Sequence, residues 1–170
     1  EVLPDSAVKK GALYFCHPRD CRLAVSEGLS VAQDKKQMDK RPGFIMGMFA
    51  YGHPFLDGNG RTMLLVHAEL CFRANMSVNW MRTNKQPYLD ALTKEIQAPN
   101  DGHLDAYLKP FIESQIPRES WLQFVSDLPG LDGIDVQSDD SAGYSDPAIA
   151  KGYQEFERRR GYRFENNNSH

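Results

Sequence analysis

Apolar residues at helical spacing dominate the chain, and the breaks in that spacing mark its ends and loops. Near the start, Lys9-Lys10-Gly11 leads into the short apolar run Ala12, Leu13, Tyr14 and Phe15, which stops at His17-Pro18. Proline removes a backbone donor and pushes its neighbour toward extended geometry, so residues 8–18 are predicted to form a small hairpin or extended flap. From Arg19 onward Leu23, Val25, Leu29 and Val31 recur with Ala24 and Ala32 between them, which predicts a helix followed by a polar stretch at 33–41. Pro42 suits the first turn of a second helix, and Phe44, Ile45, Met46, Met48 and Phe49 make that helix apolar nearly all round, as expected of a buried central element.

The central helix must end before residues 53–60, His-Pro-Phe-Leu-Asp-Gly-Asn-Gly, whose proline and glycines forbid continuation. A further helix is predicted from about Arg61 through Leu64, Leu65, Val66, Ala68, Leu70, Cys71 and Phe72 to about Ala74. Two core helices therefore flank one glycine-rich loop. Downstream, Thr83-Asn84 can cap a helix carrying Tyr88, Leu89, Leu92 and Ile96, terminated by Pro99-Asn100-Asp101-Gly102. Another holds Leu104, Tyr107, Leu108, Phe111 and Ile112, with Pro110 as a kink or turn. Between 127 and 146, Asp127, Asp132, Asp135, Asp139, Asp140 and Asp146 alternate with Gly and Ser, which reads as an acidic linker or loop. A last amphipathic segment, 147–160, carries Ile149, Tyr153 and Phe156 and closes on Arg158-Arg159-Arg160, read as a solvated helix end. The predicted class is all-α, or mainly α. Its parts are a core over 1–126, a linker over 127–146, and a C-terminal helix with a polar tail over 147–170.

Composition narrows the function classes. The 170 residues are 41% apolar and 25% charged, enough to bury one core without disulfide staples, and no apolar run approaches the ~20 residues of a membrane span. With 20 Lys and Arg against 23 Asp and Glu, the net charge of −3 supplies no general basic field, so nucleic acid is not expected as a partner and any anion must meet a local site. Cys16, Cys21 and Cys71 are odd in number and lack zinc-ligand spacing, so they read as reduced core or near-core thiols. The chain opens at Glu1 with neither an initiator Met nor a signal segment. An excised domain or processed product lacking regulatory elements is therefore expected.

The loop at 53–61 is where chemistry concentrates. It places an imidazole, a carboxylate, two glycines, an asparagine and an arginine within nine residues at a helix start. Backbone N–H groups at a helix N-terminus bind anions, and Gly58 and Gly60 let a phosphate approach them without a Cβ in the way. Asn59 can add a side-chain donor, Arg61 a positive fork for polyphosphate oxygen, and Asp57 the hard oxygen that Mg2+ prefers beside phosphates and waters. His53 titrates near neutrality and can take a proton from an incoming hydroxyl. Phe55 is expected to point the other way and anchor the loop in the core. Taken alone, such a loop between helices can also be a plain connector. An EF-hand is excluded because Arg61 stands where an oxygen ligand is needed, and a P-loop because Gly-Lys-Ser/Thr is missing.

The run His53-Pro54-Phe55-Leu56-Asp57-Gly58-Asn59-Gly60-Arg61 resembles the signature loop of the Fic (Fic/Doc, or Fido) family at nine contiguous positions, and the likeness extends over roughly residues 8–115. The resemblance implies an all-α core with the loop between two central helices and a β-hairpin flap ending in a stretch like Phe15-Cys16-His17-Pro18. Its implied activity is transfer of AMP from ATP, with Mg2+, to a protein hydroxyl. His53 would then be the base, Asp57 the metal ligand, Gly58, Asn59 and Gly60 the anion hole, and Arg61 the phosphate clamp. Tyr88 would lie on a helix bordering the adenine, and the target Ser, Thr or Tyr would dock at the flap near Phe15 to Pro18. The family's second arginine is replaced by Leu64, while Gly60 stands where kinases of the Doc type carry lysine. A Doc-like kinase, a transferase of another nucleotide, and a non-catalytic partner-binding scaffold are the alternatives left open. No inhibitory Ser/Thr-to-Glu pattern is found at Glu27 or Glu165, which leaves a separate inhibitory antitoxin as a possible partner. The resemblance implies a cytoplasmic toxin or an effector translocated into another cell.

The remaining candidates have plain structural readings. His67, within apolar residues, reads as a hydrogen-bonded core histidine, and His17 as structural or target-contacting. His103 reads as flanking a helix, and Trp80, Tyr88 and Trp121 as core or shell aromatics.

Overall fold

The computed structural model describes residues 6–55, 58–129, 140–143 and 146–162. It is mainly α, with two small antiparallel sheets. Strand β1 (Ser6–Lys10) turns through Gly11, at φ +58°, into β2 (Leu13–Tyr14). Helices α1 (Cys21–Gln33), α2 (Lys35–Lys40) and α3 (Pro42–Gly52) follow, then α4 (Asn59–Arg73) beyond the loop. Strand β3 (Met76–Val78), α5 (Lys85–Gln97), α6 (His103–Leu108), strand β4 (Ile112–Ser114) and α7 (Trp121–Ser126) continue the chain. Strand β5 (Asp140–Gly143) and α8 (Pro147–Arg160) complete it.

Every residue of α3 is buried, so its nearly continuous apolar composition marks it as the hub on which α1, α4, α5 and α6 pack. The approach of α1 is close because it turns Ala24, Gly28 and Ala32 inward. A Cβ at Gly28 would lie 2.8 Å from Cε1 of Phe49, so this contact admits only glycine without repacking. Because the N-cap Arg41 makes no side-chain cap, α3 is capped from across the core. Asp105 Oδ1 on α6 accepts from the amides of Gly43 at 2.6 Å and Phe44 at 3.4 Å. Helix α6 is capped in turn by Glu95 of α5, whose Oε2 accepts from the Leu104 amide at 2.9 Å. A buried carboxylate, Glu95, and a half-buried one, Asp105, thus fix the order α5, α6, α3.

Several expectations are corrected by tertiary context. The polar stretch 33–41 contains α2, capped by Asp34 Oδ1 accepting from the Lys36 amide and held by fully buried Met38. Pro110 does interrupt its helix, but Phe111 and Ile112 leave it, because the chain passes through a 3-10 turn into β4 and pairs with β3. Within the acidic stretch 127–146, residues 140–143 form β5 on the free side of β1, giving a sheet in the order β2-β1-β5. Asp132, Asp135, Asp139 and the tail from Asn166 to His170 lie outside the described residues.

Helix α8 matches its predicted span and packs on the core through Tyr153 and Phe156. Its terminal arginines divide: Arg158 and Arg159 are exposed, whereas Arg160 is only 4% exposed, against the reading of the cluster as solvated. Arg160 Nε donates to Ile96 O at 2.8 Å, and its guanidinium lies 3.7 Å from the centre of the Tyr51 ring. Among the described residues no helix is long and apolar enough to cross a membrane.

Candidate active site at the 53–61 loop

The loop is set by how α3 ends and α4 begins. His53 closes α3 in the left-handed region, at φ 40° and ψ 55°, with its amide donating to Phe49 O at 3.3 Å. A non-glycine residue there carries strain that neighbouring structure must hold. The holding contact comes from the flap: the Phe15 ring lies over the His53 imidazole with centroids 4.1 Å apart. Phe15 is fixed by its amide donating to Val8 O at 3.0 Å, and the next amide, Cys16, donates to Tyr51 O at 2.8 Å. His53 is 8% exposed. Flap and imidazole are therefore one packed unit.

Helix α4 begins after Gly58, which sits at φ 77° where a side chain would be strained, and its first ladder bond runs from Thr62 N–H to Gly58 O at 2.9 Å. The amides of Asn59, Gly60 and Arg61 thus stand ahead of the ladder, at the positive end of a 15-residue helix. A Cβ built at Gly60 meets no atom of the described residues within 4 Å, so among them the space above this turn is open. The Arg61 guanidinium folds beside Gly58, its Nη2 3.5 Å from where a Cβ would stand. An open glycine surface, oriented amides and an adjacent guanidinium make a cradle suited to a phosphate group.

Asn59 does something the sequence did not announce. Its Oδ1 accepts from the Phe55 amide at 2.9 Å and its Nδ2 donates to Phe55 O at 2.6 Å, so the side chain clasps the loop backbone. Phe55 itself is 47% exposed, which corrects the expectation that its ring anchors the loop in the core. The clasp by buried Asn59 supplies that anchorage instead. Leu64, one turn into α4, is 7% exposed and part of the hydrophobic core. Asp57 and Leu56 lie outside the described residues. Among the described residues, no group of three or more His, Cys, Asp and Glu could hold a metal.

Tyr88 stands on α5 in an aromatic cluster, edge-on to Trp80 at 5.4 Å and 6.3 Å from the Tyr107 ring, and burial pushes its hydroxyl pKa up. His67 is a core residue as expected. Its Nε2 donates to Pro42 O at 2.8 Å, leaving Nδ1 to accept from the Cys71 thiol at 3.6 Å, and burial pulls its pKa down to about 4. His17 Nδ1 accepts from the Arg19 amide, capping a 3-10 turn, which gives it a structural role.

The sequence reading also missed the polar network behind the loop. Tyr51 O–H donates to Glu157 Oε1, the Tyr51 and Tyr153 hydroxyls are 3.2 Å apart, and the His17 amide donates to the Tyr153 hydroxyl at 3.1 Å. Tyr153, Glu157 and Arg160 recur at i, i+4 and i+7, so one stripe of α8 was legible as a polar-tipped inner face. A search of curated proteins finds no match to the chain. The model of the Fic/DOC family matches residues 4–71, from just before β1 to Cys71 of α4; the match takes in the flap, the hub helix and the whole loop, and supports the family resemblance.

Proposed function

We propose that the protein is a nucleotidyltransferase that moves AMP from ATP to a hydroxyl side chain of a target protein. The observation that carries this reading is the cradle itself. Open space over Gly60 at the start of α4 lies in the same nine-residue loop as an imidazole held by the flap. The Fic/DOC match over this segment points to the same transferase chemistry.

In the proposed reaction the target hydroxyl oxygen attacks the α-phosphorus, the bond to the pyrophosphate oxygen breaks, and His53 takes the hydroxyl proton. Proton transfer of this kind contributes ~10²–10⁴-fold to rate. The α4 amides and Arg61 would stabilise charge gathering on the phosphoryl oxygens. Asp57 offers the single hard carboxylate that Mg2+ takes when waters and phosphates supply its other ligands; the ion would offset phosphate charge. The edge strand β2 would align a target segment by main-chain pairing. Tyr88 is a candidate to border the base of the nucleotide.

Gly60 in place of a lysine keeps the cradle open, which favours α- over γ-phosphoryl transfer. Incubation with a lysate, Mg2+ and ATP labelled at either the α- or the γ-phosphate tests the reading. The expected result is α-label on a protein band and its loss in His53→Ala, with the variant still folded. Label from the γ-position alone would identify a kinase, and label retained in His53→Ala would remove the assigned base.

A further inference from the structure

Three successive amides at the base of the flap are each held by a different element. Phe15 N–H donates to Val8 O of β1 at 3.0 Å, Cys16 N–H to Tyr51 O of α3 at 2.8 Å, and His17 N–H to the Tyr153 hydroxyl of α8 at 3.1 Å. The first two are main-chain bonds, whereas the third depends on a side chain supplied from the far end of the molecule. Between them these bonds place the Phe15 ring over the His53 imidazole, with centroids 4.1 Å apart.

The hydrogens behind His17 run one way. Tyr51 O–H donates to Glu157 Oε1, because a carboxylate oxygen can only accept. With its hydrogen committed there, Tyr51 joins the 3.2 Å contact with Tyr153 as the acceptor, so Tyr153 O–H is the donor. The Tyr153 oxygen accepts in turn from the His17 amide. Burial pushes the pKa of both phenols up, so each keeps the proton it donates. A hydroxyl that donates is a better acceptor, so the carboxylate strengthens every bond back to the flap. The stripe of α8 converges on Tyr51, since the Arg160 guanidinium also lies 3.7 Å from that ring, and Tyr51 stands two positions before His53.

We propose that Tyr153 and Glu157 are positioning residues for His53: they complete a one-way hydrogen-bond relay that holds the flap base and, through it, the Phe15 ring against the imidazole. The proposal rests on the reading of His53 as the base. Tyr153 and Glu157 touch neither nucleotide nor target in this scheme and act through Tyr51, His17 and Phe15. Removing the Tyr153 hydroxyl takes away the acceptor of the His17 amide. Removing the Glu157 carboxylate frees the Tyr51 hydrogen to compete with that amide for the Tyr153 oxygen, a weaker effect in the same direction.

The test reads the His53 ring directly, by NMR of its Hε1 resonance, beside transfer of α-label from ATP. Phe15→Leu marks where the resonance goes when the aromatic ring is absent. In Tyr153→Phe, which keeps the ring that packs edge-on against Tyr14, the His53 resonance should move toward that mark, while that of buried His67 stays in place. The same variant should lose ~10-fold or more in kcat with the KM for ATP unchanged, as misplacement of a base predicts. Glu157→Ala should shift the resonance by less in the same sense, and Glu157→Gln, which keeps an acceptor for Tyr51, should restore it. It also stands in for Tyr153→Phe should that variant fail to fold. A His53 resonance unmoved in Tyr153→Phe and Glu157→Ala, movement of His67 alongside it, or a loss confined to KM would overturn the relay. Absence of α-label transfer in the unmodified protein would instead remove the transferase reading, and the resonances would still decide the relay.

Discussion

Replacing Glu95 with Gln isolates the energetic consequence of a carboxylate in the core. Glu95 is fully buried, packs its Cγ against Gly47 of α3, and caps α6 through Oε2, while Oε1 has no hydrogen-bond partner among the described residues. Burial, with Asp105 adding to it, raises its pKa from 4.5 to about 7 against the lowering effect of Arg41 and the α6 amides. An acid whose folded pKa is raised stabilises the fold fully below its unfolded pKa, and that stability is lost as pH rises from 4.5 through 7. Full ionisation then costs about 3 kcal/mol. His67 acts in the opposite sense: its pKa falls from 6.5 to about 4, so it withdraws a similar amount as pH falls through that range. The two titrations offset each other, and the pH profile of the unmodified protein should be shallow. The informative quantity is therefore the difference between Glu95→Gln and the parent in urea unfolding at several pH values. Glutamine keeps an acceptor for the Leu104 amide, and the cost of burying its NH2 is constant with pH. That difference should move in favour of the variant by about 2–3 kcal/mol between pH 5 and pH 8. A difference constant to within about 0.5 kcal/mol would mean that Glu95 is not a buried titrating carboxyl, and the account of the α5-α6 cap would be wrong.

Two further substitutions probe the loop from opposite sides. Gly60→Ala meets no neighbour among the described residues, so the fold should be unchanged or stabilised by up to ~1 kcal/mol, while ATP affinity measured by calorimetry should fall ~10-fold or more; unchanged affinity would place the phosphate elsewhere. Leu64→Arg puts a charge at a core position and should cost about 1–3 kcal/mol in urea unfolding. No loss of stability would show that position 64 can face the nucleotide after all.

The helices were legible where one face or all faces are apolar. The uniformly apolar stretch at Phe44 to Phe49 announced the hub, and the Asn84 cap and Pro147 start marked α5 and α8 at their first turns. The loop was legible because its residue types are chemical rather than structural. What escaped depends on partners far along the chain. Residues 76–78 and 112–114 are too short to show an alternation and become strands only by pairing with each other. Residues 140–143 look like linker because a strand added at an edge needs only backbone. Phe55 was misjudged for a related reason: hydrophobicity suggested burial, but hydrogen bonding by Asn59 fixes that turn. Arg160 was misjudged because a cluster of like charges conceals the one member whose guanidinium is buried over an aromatic ring.

The closure of the fold by its last elements has a consequence for how the molecule is made. The pairs that fasten the flap are among the most distant in the chain: His17 and Tyr153 lie 136 positions apart. β1 must wait for β5 to fill its second edge. At ~5–20 residues per second on a ribosome, α1, α3 and α4 are available on the order of ten seconds before α8 emerges. During that interval the hub can pack, but the hairpin lacks one neighbouring strand and the helix that seats Tyr14, Tyr51 and Phe15's end of the flap. The geometry around His53 is thus completed only once α8 has emerged, and the nascent polypeptide carries the loop before it carries the site.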